Sequence, residues 1–149
     1  MINALKKLTI FSHVILTHDW HPQGHVSFAS THGKKLFTSI DINGKKQELW
    51  PEHCVAHTKG AELSPLLERS NNEICIKKGE QKGLDSYSGF YIGHDQKVEL
   101  KEILSHWETK EVYVCGLAFD FCVGQTAIDA AAFGFKTFII TDATKSVSK

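Results

Sequence analysis

Scarcity is the first feature of this 149-residue chain, which has three prolines, one methionine, four cysteines and no net charge. Seventeen lysines and arginines balance seventeen aspartates and glutamates. A neutral balance gives no electrostatic footprint for nucleic acid or an anionic membrane. No apolar run approaches the ~20 residues that span a bilayer. Residues 1–7 have no apolar stretch leading to a small-residue cleavage site, so they do not read as a secretory signal. The expectation is a cytoplasmic protein without membrane or nucleic-acid partners. The four cysteines, Cys54, Cys75, Cys115 and Cys122, lack the C-x-x-C spacing of a zinc knuckle or redox motif. Cys75 and Cys115 stand inside apolar runs, where a thiol acts as a small buried hydrophobe. No disulfide framework is expected.

What is present is an ordinary globular composition, 42% hydrophobic and 10% aromatic, with length for one domain spanning residues 1–149. Short apolar runs at 13–17, 74–76, 112–115 and 137–140 read as buried strands. Leu100, Ile103, Leu104 and Trp107 repeat as one face of a helix. Residues 122–133 carry Val123, Ala127, Ala130 and Ala131, with Gly134 as a C-terminal stop. Residues 3–9 could form a short amphipathic helix. Strands alternating with helices argue for a parallel α/β sheet. Residues 20–70 break that rhythm, with a hairpin turn at Asn43-Gly44. A long irregular segment in a small domain points to function. Both ends look cut, because an α/β sheet is normally covered by helices on each face.

Three groups of residues could carry chemistry. Asp19-Trp20-His21-Pro22-Gln23-Gly24-His25 follows a strand, and its carboxylate and imidazoles could converge on one cation, with His53 as a further candidate. Mixed Asp/His ligation suits zinc, iron or manganese rather than calcium. Histidines in a polar loop are more often simply solvated, and Lys77-Lys78 reads first as a surface pair. Yet a lysine leaving a strand can stabilise negative charge or lower a thiol's pKa. The third group is Cys122, opening a helix after a strand and turn, where the helix dipole favours the thiolate and backbone N–H groups can hold an oxyanion. Asp19, Lys78 and Cys122 all follow strand C-termini, the edge where open α/β sheets place their sites.

These residues resemble the nicotinamidase/pyrazinamidase branch of the isochorismatase-like cysteine hydrolases. The resemblance is carried by Asp19-Trp20-His21-Pro22, His25-x-Ser27-Phe28-Ala29, Trp50-Pro51-x-His53-Cys54, Lys78-Gly79, Asp85-Ser86-Tyr87-Ser88-Gly89-Phe90 and Gly116-Leu117-Ala118-x-Asp120-x-Cys122-Val123. It implies a three-layer, doubly wound, mostly parallel sheet, here without the family's first strand. It implies hydrolysis of nicotinamide to nicotinate and ammonia, a step of NAD salvage, through a thioester on Cys122. The N–H groups of Ala118 and Cys122 would hold the oxyanion, with a cis peptide at Leu117-Ala118, and Lys78 would stabilise charge. Asp19, His21 and His53 would hold a divalent metal, zinc foremost, with iron or manganese as alternatives. His25 would be a fourth ligand or stand behind the first three. Trp50 and Tyr87 would flank the ring, with Phe28 closing the pocket. The family's D-x-Q aspartate, which handles the thiol proton, has no counterpart before Val14. Two alternatives stay open: a catalytically silent metal- or pyridine-binding relative, and a hydrolase of another small amide or ester. Association with further copies of the chain also stays open.

Overall fold

The computed structural model describes residues 1–91 and 99–148. A five-residue helix, α1 (Ile2–Lys6), leads to strand β1 (Ile15–Asp19). Hairpin strands β2 (Ser39–Ile42) and β3 (Lys45–Glu48) pair antiparallel. Their turn is Asn43-Gly44, with φ of 54° and 78°, the positive pair that a two-residue type I′ turn requires. Strand β4 (Ile74–Lys78) runs parallel to β1. Helix α2 (Glu99–His106), strand β5 (Glu111–Leu117), helix α3 (Gly124–Ala132) and strand β6 (Lys136–Lys145) complete the order, with β5 parallel to β6. This is the expected α/β class. The sheet consists of two parallel pairs, β1·β4 and β5·β6, and no ladder joins them among the described residues.

Side-chain packing joins what the ladders do not. Ile76 of β4, Phe90, Leu100 and Leu104 of α2, and Ala130 of α3 form one buried cluster, with Ile15 and Val112 packed against it. Val114, Val123 and Ala127 form a second cluster under β5. Burying such apolar surface is the main force holding the layers together. The predicted face of α2 is the observed one.

Several details differ from the sequence reading. Each strand runs beyond its apolar core, so Asp19 and Lys78 are the last residues of their strands rather than residues beyond them. Backbone pairing continues past the point where hydropathy stops reporting it. Cys75 is exposed, because β4 alternates: Ile76 and Lys78 are buried while Cys75 and Lys77 face away. Ala131 is exposed, and the buried face of α3 runs through Val123, Ala127 and Ala130. The predicted helix at 3–9 stops at Lys6. Among the described residues no helix is long and apolar enough to cross a membrane.

Candidate active site

The register of the first pair sets one half of the site. Asp19 of β1 is the Cα partner of Lys78 of β4, so the two side chains leave the same face at the same edge. The buried Lys78 ammonium forms an ion pair with Asp19 Oδ1 and donates to the Ser86 carbonyl at 3.1 Å and to Cys122 Sγ at 3.2 Å. Three protons meet three acceptors, so the buried charge is fully satisfied. Burial pushes the Lys78 pKa down, but Asp19 and Cys122 outweigh it and hold the ammonium above the usual lysine range. Burial likewise pushes Asp19 up, while His21 and Lys78 pull harder and hold it well below the usual carboxylate range.

The other half comes from the β5–α3 junction. There the chain makes one π-type turn, Phe119–Val123, before α3 begins. The Ala118 carbonyl accepts the N–H groups of Phe121 at 3.2 Å and Val123 at 3.0 Å. A Cβ on Gly124 would sit 2.6 Å from the Phe119 carbonyl oxygen, so the turn needs glycine there. The Leu117-Ala118 peptide is cis. This turn delivers Cys122 to Lys78 across the gap between the two strand pairs. The helix dipole led us to expect a lowered thiol pKa. The reverse holds: burial pushes the Cys122 thiol up and Asp19 adds to it, while Lys78 pulls down by less.

Beside this lies a group rich in acceptors. Asp19 Oδ2 is 3.7 Å from His21 Nε2 and 3.8 Å from His53 Nε2. His21 Nδ1 lies 3.0 Å from the Gly79 carbonyl, and His53 Nδ1 lies 2.8 Å from that of Pro51. A carbonyl only accepts, so Nδ1 carries a proton in each ring, and Nε2 is the atom turned to Asp19, able to donate to the carboxylate when protonated or to offer a lone pair when not. Two imidazole nitrogens and a carboxylate oxygen thus face one point, with candidate ligand atoms within 4.8 Å of one another. A donor set of this chemistry fits a divalent transition metal.

His25 is fully buried and differs. Its Nε2–H donates to the Leu84 carbonyl at 3.0 Å, and its Nδ1 accepts from Ser27 Oγ at 2.8 Å. Both nitrogens are engaged, and the ring stacks on His21 with centroids 4.2 Å apart. Asp85 shares a second cluster with His21 and His25. Phe28, also fully buried, sets its ring against the imidazoles of His21, His25 and His53. Trp50 Nε1–H donates to the Tyr87 hydroxyl at 2.9 Å.

The structure therefore gathers Asp19, His21, His53, Lys78 and Cys122 in one place, with Ala118 at the start of the turn that carries Cys122, and Trp50 and Tyr87 alongside. Sequence reasoning missed Phe121, whose ring meets Trp50 at 4.7 Å and Tyr87 at 5.4 Å. It also missed the Ser86 carbonyl on Lys78. An aromatic adjoining a candidate nucleophile was the available signal for Phe121. Backbone acceptors such as Ser86 leave no trace in residue type.

Residues 12–149 match the model of the Isochorismatase domain, and the chain belongs to that family. It is 41% identical over 141 residues to a nicotinamidase of Acinetobacter baylyi, an alignment covering 93% of this chain and 66% of the relative. The chain thus spans slightly less than two thirds of that relative's length. A solved Acinetobacter baumanii nicotinamidase/pyrazinamidase superposes with a TM-score of 0.93 at 42% identity, over 99% of this chain and 72% of the other. A Pyrococcus horikoshii pyrazinamidase solved with zinc gives a TM-score of 0.72 at 32% identity, over 91% of this chain and 64% of the other.

Proposed function

We propose that this chain is a cysteine amide hydrolase that converts nicotinamide to nicotinate and ammonia, a reaction of NAD salvage. The observation that carries the reading is the contact of Cys122 Sγ with the buried Lys78 ammonium, 3.2 Å apart, at the strand edge that also bears the Asp19–His21–His53 group. The similarity to proteins named nicotinamidases supports the substrate.

Cys122 attacks the carboxamide carbon and forms a thioester, releasing ammonia, and water then hydrolyses the thioester. The raised thiol pKa leaves the proton on sulfur at neutral pH, and Lys78 is the group on hand to stabilise the charge once that proton leaves. The N–H groups of Ala118 and Cys122 hold the developing oxyanion. Trp50 and Tyr87, tied by their hydrogen bond, flank the flat ring, and Phe121 adds a third aromatic surface. Phe28 acts from behind, holding the imidazoles. Asp19, His21 and His53 hold the metal, with His25 behind His21 rather than on the ion. An ion held by these residues would supply Lewis-acid chemistry. Zinc is the first choice, in keeping with the zinc in the Pyrococcus horikoshii structure.

The test is ammonia release from nicotinamide with Zn²⁺ or Fe²⁺ supplied, with Cys122→Ala as control. Turnover by the unaltered chain and none by the control is the expected result. A folded chain that binds metal but releases no ammonia would overturn the reading.

A further inference from the structure

Gly79 stands directly after Lys78 with φ of +65°, a left-handed conformation that costs an L side chain energy. The reason it is glycine lies beyond the backbone. A Cβ placed there would collide with Cε1 and Nδ1 of the His21 ring. The ring packs flush on the Gly79 backbone, and its Nδ1–H donates to the carbonyl of that same residue. His21 is almost wholly buried, between this backbone on one side and the stacked His25 ring on another. One residue therefore supplies both the space the imidazole occupies and the acceptor that fixes its tautomer.

We propose that Gly79 is a positioning residue for the metal: it holds His21 with Nδ1 on its own carbonyl and Nε2 aimed at the point shared with Asp19 Oδ2 and His53 Nε2. This rests on the reading that Asp19, His21 and His53 bind a metal. The Lys78-Gly79 pair then has a divided task, the lysine serving the thiol through its ammonium and the glycine serving the metal through its carbonyl. Groups that orient a ligand in this way typically account for ~10–100-fold in metal affinity.

The experiment measures Zn²⁺ affinity by competition with a chromophoric chelator, for the unaltered chain, Gly79→Ala and Gly44→Ala. Gly44 is a matched control, with φ of +78° and nothing within 4 Å of the Cβ it would gain. Backbone strain is thus common to both variants, and contact with His21 belongs to one. The expected result is a ~10–100-fold loss of affinity in Gly79→Ala and none in Gly44→Ala. The d–d spectrum of the Co²⁺-loaded protein should change in the first variant alone. Long-range ¹H–¹⁵N spectra of the unaltered, metal-free chain give a second readout that needs no substitution: His21 should be protonated at Nδ1. A ring with no proton on Nδ1, or a Gly79→Ala chain that binds zinc as tightly as the unaltered one, overturns the inference. An unaltered chain that binds no zinc overturns the metal reading itself, and this inference with it.

Discussion

Lys78 is a buried ammonium shared among a carboxylate, a carbonyl and a thiol. Removing it leaves Asp19 without its ion-pair partner, and breaking a buried ion pair costs ~3–5 kcal/mol. Lys78→Ala should therefore lower stability in urea denaturation by about that amount. It should also reduce kcat/KM for nicotinamide by at least ~100-fold, the scale of losing one preorganised charge-stabilising group. A variant with intact kcat/KM would remove Lys78 from the mechanism. The thiol gives a second test. Its pKa is raised above the ordinary 9.0, with burial as the largest cause. The reactive thiolate is a small fraction at neutral pH and grows about tenfold per pH unit until pH passes the raised value. Alkylation of Cys122 by neutral iodoacetamide should still be accelerating at pH 9. A rate that levels off near pH 7 would show that Lys78, not burial, sets the thiol's pKa. Cys54, Cys75 and Cys115 must be replaced first so that one thiol is read.

At the scale of the element, short apolar runs located β4 and β5, a 3.6-residue apolar period located α2, and the Asn43-Gly44 pair located the hairpin turn, because covered faces and positive-φ turns both restrict residue type. The same reasoning placed Asp19, Lys78 and Cys122 on one edge, which the parallel pairs reproduce. What it could not read was decided by partners distant in sequence. Cys75 has the residue type of a buried strand position but falls on the uncovered face of β4. For His25 the sequence leaves two roles open, ligand or support behind the ligands, and what bears on the choice is Ser27 and Leu84, which hydrogen-bond its two nitrogens. The direction of the Cys122 shift depends on how deeply the turn is buried, which helix-terminus logic does not contain. The element best specified by its pattern should also be the best place to damage the core selectively. Leu104 is 7% exposed on the inner face of α2 and none of the site's hydrogen bonds involve it. Leu104→Ala should cost ~2–5 kcal/mol and leave KM for nicotinamide unchanged at temperatures where the variant stays folded. A raised KM would mean that α2 positions the site as well as covering the sheet.

For the whole molecule, the notable fact is that Lys78 ends a strand of one pair while Cys122 lies in the turn that follows β5 of the other, so their 3.2 Å contact is not enforced by a shared ladder. Side chains and the 86–90 segment must enforce it. That segment touches both sides: the Ser86 carbonyl accepts from Lys78, the Gly89 N–H donates to Thr126 Oγ1 of α3 at 3.0 Å, and Phe90 lies fully buried in the common cluster. It also carries Tyr87, one wall proposed for the ring. Thr126 is therefore the point where the half bearing Cys122 grips the segment bearing Tyr87. Thr126→Val keeps the shape and removes the acceptor, leaving a part-buried N–H unpaired at a cost of ~1–3 kcal/mol. The expected outcome is a loss of stability in that range together with a raised KM for nicotinamide, since Tyr87 loses its anchor, and Thr126→Ser should restore both. Steady-state kinetics and urea denaturation on the three proteins decide it. If Thr126→Val loses stability but keeps its KM, the grip on Gly89 is structural alone, and the ring's position is set by Trp50 and Phe121 instead.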